Sequence, residues 1–350
     1  MRVGHRHLEA GPPPEARAQG AGPAVNGRGI LVLLLSAASW LTGCAGSEGP
    51  TGCPPEECVV PNEAFPRLLS DLEGELARGQ PYSPRHPLWT NGLEKDRRLV
   101  LPVGATVDAS NRSAWVFPPG TRFFKTFSVT SSQSGNGVRP VETRVMFRGN
   151  QGWEFGVYLW RADGSDAELH GGGLPVAVPL VDAEGRSFTH QVPSLPQCNL
   201  CHLTNLTTVI GFSELQLNVQ SPVVGGTNQL EAFFQAGLLS GALPGDPDAV
   251  EGADQLTRDI VGYAQGNCSF CHNEKTLAGG LNLSHPVFLA NTLNRPSVTG
   301  GILIQPGDPD GSVYYQRFSG GTMPALGVQL GDSVTYGELR DWIEDYPPGG

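Results

Sequence analysis

Val141-Glu142-Thr143-Arg144-Val145-Met146-Phe147-Arg148, the short turn Gly149-Asn150-Gln151-Gly152, and Trp153-Glu154-Phe155-Gly156-Val157-Tyr158-Leu159-Trp160 decide the class of the larger part of this chain. Val141, Thr143, Val145 and Phe147 alternate with Glu142, Arg144, Met146 and Arg148, the period-two pattern of a half-buried strand with one apolar and one polar face. The run Trp153 to Trp160 is apolar at nearly every position, which predicts a central strand covered on both faces. Ala162-Asp163-Gly164-Ser165 and Asp182-Ala183-Glu184-Gly185 supply turn chemistry between further strands. Residues 63 to about 195 are therefore expected to form a β-sandwich or a strongly curved sheet.

Past Pro196 the period changes. Leu230, Phe233, Phe234 and Leu238 fall at helical spacing, predicting a helix over 228–239 ended by Gly241 and Pro244. A polar stretch with Gly and Pro, 245–252, reads as a linker. Beyond it, Leu256, Ile260, Val261 and Ala264 share one helical face, and Tyr336, Leu339, Trp342 and Ile343 share another, with Asp332, Ser333 or Thr335 as its cap. The expected class is α+β multidomain: a β-sandwich-like domain over 63–245 followed by a small all-α domain over 253–347.

Composition sets limits on function. With 39% hydrophobic and 16% charged residues, the chain is globular and long enough for one large or two modest cores. Gly (47) and Pro (30) are abundant, so much irregular backbone is expected. The formal net charge is −11; residues 1–43 hold four Arg and two acidic groups, so the remainder carries 19 basic and 32 acidic residues. That balance disfavours nucleic acid as a partner. From Asp246 onward 13 acidic residues face 5 basic ones, which would steer a partner with a basic docking surface.

The first 43 residues read as an export signal. Arg2, Arg6, Arg17 and Arg28 precede the apolar run Ile30 to Leu41, which is too short to span a bilayer. Leu41-Thr42-Gly43-Cys44 resembles a lipobox, which implies cleavage before Cys44, its acylation, and anchorage on the periplasmic side of a bacterial membrane. Residues 44–62 then form a tether, in which Cys53 and Cys58 flank Pro54-Pro55-Glu56-Glu57 and could close a small disulfide.

The remaining four cysteines carry the chemistry. Cys198-Asn199-Leu200-Cys201-His202 and Cys268-Ser269-Phe270-Cys271-His272 are both C-x-x-C-H. Two thiols three positions apart can join the two vinyl groups of one haem, and the next His is then placed to ligate its iron. At this chain's Cys and His frequencies, two such pentapeptides arise by chance on the order of once in 10⁵ chains, so chance is a poor competitor. Structural zinc would leave ligands idle, because two sets of three do not make a closed set of four. A thioredoxin-like pair needs no trailing His and sits in a βαβ setting that is absent. Two covalently attached haem c groups are therefore expected, with His202 and His272 as axial ligands.

For the second haem the expected sixth ligand is Met323, in Gly320-Gly321-Thr322-Met323-Pro324 just before the last helix. A thioether is a soft ligand that favours ferrous iron and raises the potential; the competing expectation is a core Met filling a gap. For the first haem no comparable Met follows. Met146 falls on the polar side of its strand, and among His86, His170, His190 and His285 the candidate is His190, eight residues before Cys198. An iron left without a sixth ligand is the alternative.

From Ala253 to Pro347 the order helix, Cys-Ser-Phe-Cys-His, loop, Met-Pro, helix resembles a class I cytochrome c domain. A wider resemblance is carried by Pro81-Tyr82-Ser83, Pro87 to Gly92 with Glu94-Lys95 and Arg97, Phe117-Pro118 to Gly120-Thr121, Lys125-Thr126-Phe127, and Glu142-Thr143-Arg144. Pro193-Ser194, Gln197 to His202, Gln216-Leu217-Asn218 and Asn228-Gln229-Leu230 extend it. The chain from about residue 63 resembles a family of exported bacterial di-haem c-type cytochromes, largely uncharacterised, with a β-rich front half and a cytochrome c-like back half. The resemblance implies haem binding and electron transfer in the periplasm. Thr90-Asn91 departs from an expected Ser-Asp pair, and Asn273-Glu274-Lys275-Thr276 shortens the loop after His272; neither touches a haem-bonding atom.

Three functions are compatible with these residues. An electron carrier needs no bond-making chemistry. A di-haem peroxidase-like enzyme would use an open position on the first haem. In a third, the β-rich part would be a receptor with accessory haems. The aromatic residues Trp115, Phe117, Phe123, Phe124, Phe127, Trp153 and Trp160 read as core rather than as a sugar platform, and no nucleophile elbow supports a hydrolase.

Overall fold

The structure is a computed structural model that describes residues 61–131, 137–203, 207–276 and 278–347. The expected leader 1–43, the lipidation site Cys44, the Cys53 and Cys58 pair and nearly all of the tether lie outside the described residues. The described residues all belong to one compact unit. Among them, no helix is long and apolar enough to cross a membrane.

The chain is mixed α+β. Helix α1 (Glu73–Arg78) leads into strands β1 (Gln80–Pro81), β2 (Glu94–Val100), β3 (Val107–Asp108), β4 (Arg122–Ser131), β5 (Gly137–Arg148), β6 (Trp153–Trp160) and β7 (Ala167–His170). Strands β8 (Val176–Val181) and β9 (Ser187–Val192) follow, then α2 (Leu195–His202), α3 (Glu214–Leu217), α4 (Gln229–Gln235) and β10 (Leu239–Ser240). The chain closes with α5 (Gln255–Asn267), α6 (Phe288–Thr292), α7 (Val313–Ser319) and α8 (Ser333–Asp345).

One antiparallel sheet of six strands, ordered β1-β2-β4-β5-β6-β7, forms the centre; β8 and β9 make a separate hairpin and β3 pairs in parallel with β10. The predicted central strand 153–160 is β6, with β5 on one side and β7 on the other. On one face of the sheet Val100, Phe124, Val145 and Tyr158 pack against Phe65, Leu69 and Leu72. The opposite face carries two apolar clusters. Leu99, Phe123 and Met146 meet Phe212, Leu230 and Phe233 at one end, and Phe127 meets Leu180 and Phe188 of the β8–β9 hairpin at the other.

This second layer corrects the expectation for β5. Its supposedly polar face is covered: Glu142 has no exposed surface and Met146 packs into an apolar cluster. The cover consists of helices and a two-stranded hairpin, not a second sheet of comparable size. The helix expected over 228–239 is also shorter. Asn228 caps it by accepting from the Leu230 and Glu231 amides, but Gly237 (φ 69°) breaks the helix and Leu239–Ser240 joins β3 instead.

The last hundred residues bury their own core. Ile260, Val261 and Ala264 of α5 pack with Leu339, Trp342 and Ile343 of α8, as their spacing predicts, and Leu215 of α3 joins them. Asp254 and Asp332 cap α5 and α8 through Thr257 N–H and Thr335 N–H. Trp342 Nε1 donates to Thr257 Oγ1 at 3.0 Å, which satisfies a buried indole where the helices cross.

Candidate haem-attachment sites

The first motif lies on α2, which starts two residues after β9. Ser194 and Gln197 form a reciprocal cap and Pro196 occupies the first turn, so the helix begins at a fixed point and carries Cys198, Cys201 and His202 on successive turns. Burial pushes the Cys198 thiol up to about 11, against the pull of Arg144. The His202 ring stacks at a tilt on Phe155 of β6, centroids 5.2 Å apart. Its Nδ1 lies 2.7 Å from the Thr208 carbonyl, so Nδ1–H donates there and the free lone pair is on Nε2. Burial lowers its pKa to about 4, which keeps the ring neutral. A neutral imidazole with its other nitrogen fixed by a carbonyl is the form that ligates a metal.

The second motif follows α5 without a break. Cys268 N–H donates to Ala264, and the amides of Cys271 and His272 both donate to the Cys268 carbonyl, so the pentapeptide winds as one further turn. Burial raises the Cys268 thiol to about 11, and its sulfur lies 3.6 Å from the Tyr314 hydroxyl. The His272 Nδ1 is buried without a hydrogen bond of good geometry, and burial lowers the pKa of the ring.

Cys201 and Cys271 act on each other's acidity, which holds the Cys201 thiol down to about 7 and pushes the Cys271 thiol up. All four thiols are free. Among the described residues no three His, Cys, Asp or Glu side chains converge into a set able to hold a metal ion, so the closed tetrahedron that structural zinc needs is not assembled.

Met323 sits half-buried on the loop between α7 and α8, held by its amide donating to the Arg317 carbonyl at 3.0 Å. No hydrogen bond joins it to the second motif. The same loop is clasped from the sheet side: Asn91 Oδ1 accepts from the amides of Gln329 (2.6 Å) and Leu330 (2.9 Å), and Trp89 Nε1 donates to the Leu330 carbonyl at 2.8 Å. The Trp89 amide also donates to Asn267 Oδ1 at 2.6 Å, one residue before Cys268. Segment 87–92 thus ties the Met323 loop and the second motif to the sheet. Asn91 adopts φ 51°, a left-handed conformation that Asn tolerates.

His190 is fully buried on β9. Its Nε2 lies 2.8 Å from Glu142 Oε1, and its Nδ1 has no partner. Glu142 also takes Arg144, and despite full burial these two partners hold its carboxyl down at about 2. Arg144 in turn acts on Cys198 and Cys201, so His190 and the first motif border one electrostatic cluster.

The cluster is one that sequence reasoning missed. Arg97, Lys125 and Arg144 are directly opposite one another on β2, β4 and β5. Lys95, Phe127 and Glu142 form the next row on the same face. Lys125 and Arg144 lie 4.9 and 4.4 Å from the Phe127 ring centroid. The missed signal was the i, i+2 spacing of Lys95 with Arg97 on the face of β2 that continues into buried Leu99, and of Glu142 with Arg144 inside a strand whose other face is apolar. Beside Lys95 and Arg97 opens a cleft of about 450 Å³, walled also by Trp89, Tyr263, Asp332 and Glu338.

No protein-family model matches the chain, and neither a curated protein nor a solved structure is detectably similar to it. The donor set is compatible with haem at both motifs: four reduced thiols, a neutral His202 with Nε2 free, and a half-buried His272 ring follow the attachment spacing.

Proposed function

We propose that the chain is an exported di-haem c-type cytochrome and serves as a membrane-tethered electron carrier. In this proposal Cys198, Cys201 and His202 hold one haem, and Cys268, Cys271, His272 and Met323 hold the other, on a β-rich part followed by a class I cytochrome c-like part. Haem held at these residues supplies reversible one-electron chemistry.

The observation that carries the proposal is the His202 ring, whose Nδ1–H donates to the Thr208 carbonyl at 2.7 Å and leaves Nε2 free one residue after Cys201. The protein's own contribution is positional. Thr208 fixes the His202 tautomer, and Trp89 and Asn91 hold the loop that presents Met323. The acidic last third would steer a partner with a basic docking surface.

One observation favours a second use, a peroxidase-like enzyme. The Nε2 of His190, the nearest candidate for a sixth ligand in sequence, is engaged by Glu142 under the Phe127 ring, which leaves the first site short of a ready ligand. Potentiometric titration with spin-state spectroscopy separates the two. The carrier shows two one-electron steps, six-coordinate low-spin spectra in both redox states and no peroxide turnover. A five-coordinate first haem with peroxide-dependent turnover would replace the carrier by the enzyme.

A further inference from the structure

Residues 320–332 join α7 to α8 without a helix or strand of their own. At its start the loop holds itself: the Thr322 and Met323 amides both donate to the Arg317 carbonyl at 3.0 Å. Further on, among the described residues, every hydrogen bond of 327–330 runs to the sheet side. Asn91 Oδ1 accepts from the Gln329 and Leu330 amides, Asn91 Nδ2 donates to the Gly327 carbonyl at 3.4 Å, and Trp89 Nε1 donates to the Leu330 carbonyl. The Thr189 amide of β9 donates to Gln329 Oε1 at 2.9 Å, and Leu330 packs with Leu93, Phe127, Leu180 and Phe188. Without these contacts a loop of this length samples many conformations.

The same segment of the sheet side grips the helix that carries the second motif. Asn267, 2% exposed and one residue before Cys268, accepts from the Trp89 amide through Oδ1. Through Nδ2 it donates to the Pro87 carbonyl at 3.3 Å and to the Tyr263 carbonyl at 3.0 Å. At Gly266 of α5 a Cβ would collide with the His86 carbonyl oxygen, so the segment lies directly on the helix. Two features mark a built clasp. Asn91 is 3% exposed, yet its whole side-chain amide is spent on the backbone of one distant loop. It also holds φ 51°, a left-handed conformation that persists only where the surroundings compensate its strain.

Resting on the assignment of Met323 as the thioether ligand of the second haem, we propose that Asn91, Trp89 and Asn267 are positioning residues through which the β-rich part sets the potential of that haem. They bind the loop bearing Met323 and the turn bearing Cys268 and His272 to one short strip of chain. A thioether ligand favours ferrous iron. Release of the loop therefore lowers the ligated fraction of Met323 and, with it, the potential of that centre. The sheet becomes a determinant of redox poise as well as a support.

The test uses the full chain matured in a host that ligates haem, as wild type, Asn91→Gly, Asn91→Asp, Met323→Ala and Asn91→Gly/Met323→Ala. Gly accepts the left-handed backbone but removes the acceptor, whereas Asp keeps both. Haem per chain, the thioether-to-iron charge-transfer band, both midpoint potentials and amide exchange at 327–330 are measured. All variants should carry two haems. In Asn91→Gly, exchange at 327–330 should be about tenfold faster, the band weaker and one potential lower. Asn91→Asp should recover the band and the slow exchange. In the double variant neither potential should move beyond its value in Met323→Ala, because the clasp acts through the thioether. Band and potentials unchanged in Asn91→Gly, or the same potential shift with and without Met323, overturn the proposal and leave the di-haem assignment standing. If Met323→Ala itself retains the band and both potentials, the ligand assignment falls and this proposal with it. A wild type without haem removes the di-haem reading as well. Should Asn91→Gly fail to fold, Trp89→Phe, which loses only the Nε1 donor, replaces it in both backgrounds.

Discussion

Glu142 and His190 face each other at 2.8 Å between β5 and β9, and neither has any exposed surface. The pair anchors the hairpin that covers the sheet, and Glu142 is the sole carboxylate paired within the cationic cluster among the described residues. Its replacement leaves the half-buried Arg144 guanidinium without its carboxylate and His190 Nε2 without its charged partner. Glu142→Gln is expected to cost about 3–5 kcal/mol in chemical denaturation. A loss below about 1 kcal/mol would show that the cluster is solvated.

The same carboxyl predicts an acid limb of stability. Its folded-state pKa, about 2, lies below its ordinary value of 4.5, so the ionised form is preferred by the fold. This contribution is complete above about pH 4.5 and is lost as pH falls toward 2, with an upper bound of about 3 kcal/mol. Denaturation midpoints of wild type and Glu142→Gln should converge on acidification; parallel curves would contradict the assignment.

Asn91 should control the Met323 loop at a distance. Asn91→Ala removes the acceptor for two loop amides and places Ala in a left-handed conformation, at an expected cost of about 1–3 kcal/mol. The local consequence is earlier opening of residues 327–330, read as faster amide exchange there than in α5. Uniform exchange changes across the chain would mean a global effect instead.

Two helix glycines should respond in opposite directions. On propensity alone, Gly→Ala inside a helix stabilises by roughly 0.5–1 kcal/mol. At Gly337 of α8 a Cβ meets nothing within 4 Å, so Gly337→Ala should give that gain. At Gly262 of α5 a Cβ would fall 2.2 Å from His86 Cε1, so Gly262→Ala should destabilise by about 1–3 kcal/mol. Thermal melts of the two variants check the sign difference; equal shifts would mean that His86 does not pack on α5.

Met323→Ala isolates the proposed thioether ligand. The thioether-to-iron charge-transfer band should disappear and one midpoint potential should fall, with haem content unchanged. If band and potentials are both retained, Met323 fills a core gap and the ligand is another residue.

Much of the fold was legible because two periods are hard to confuse. Trp153 to Trp160 reads as a central strand, and Leu256 to Ala264 as one face of a helix, and both elements form there. Less legible was what covers β5. Alternation reports that two faces differ, and Glu142 and Arg144 look solvent-facing until a buried partner such as His190 supplies the compensation. The helix through Leu238 was over-extended because apolar spacing continues past Gly237, whose φ of 69° redirects the chain into β10. The motifs announced their chemistry locally. That Lys95, Arg97, Lys125 and Arg144 share one face depends on strand register, which no local pattern encodes.

The most direct measurement is haem stoichiometry. Protein matured in a host able to ligate haem should stain for covalent haem on a denaturing gel and give a reduced pyridine spectrum of two haem c per chain, falling to one in Cys201→Ser/Cys198→Ser and to one in Cys268→Ser/Cys271→Ser. A colourless wild type, or one that carries zinc at these thiols, would contradict it.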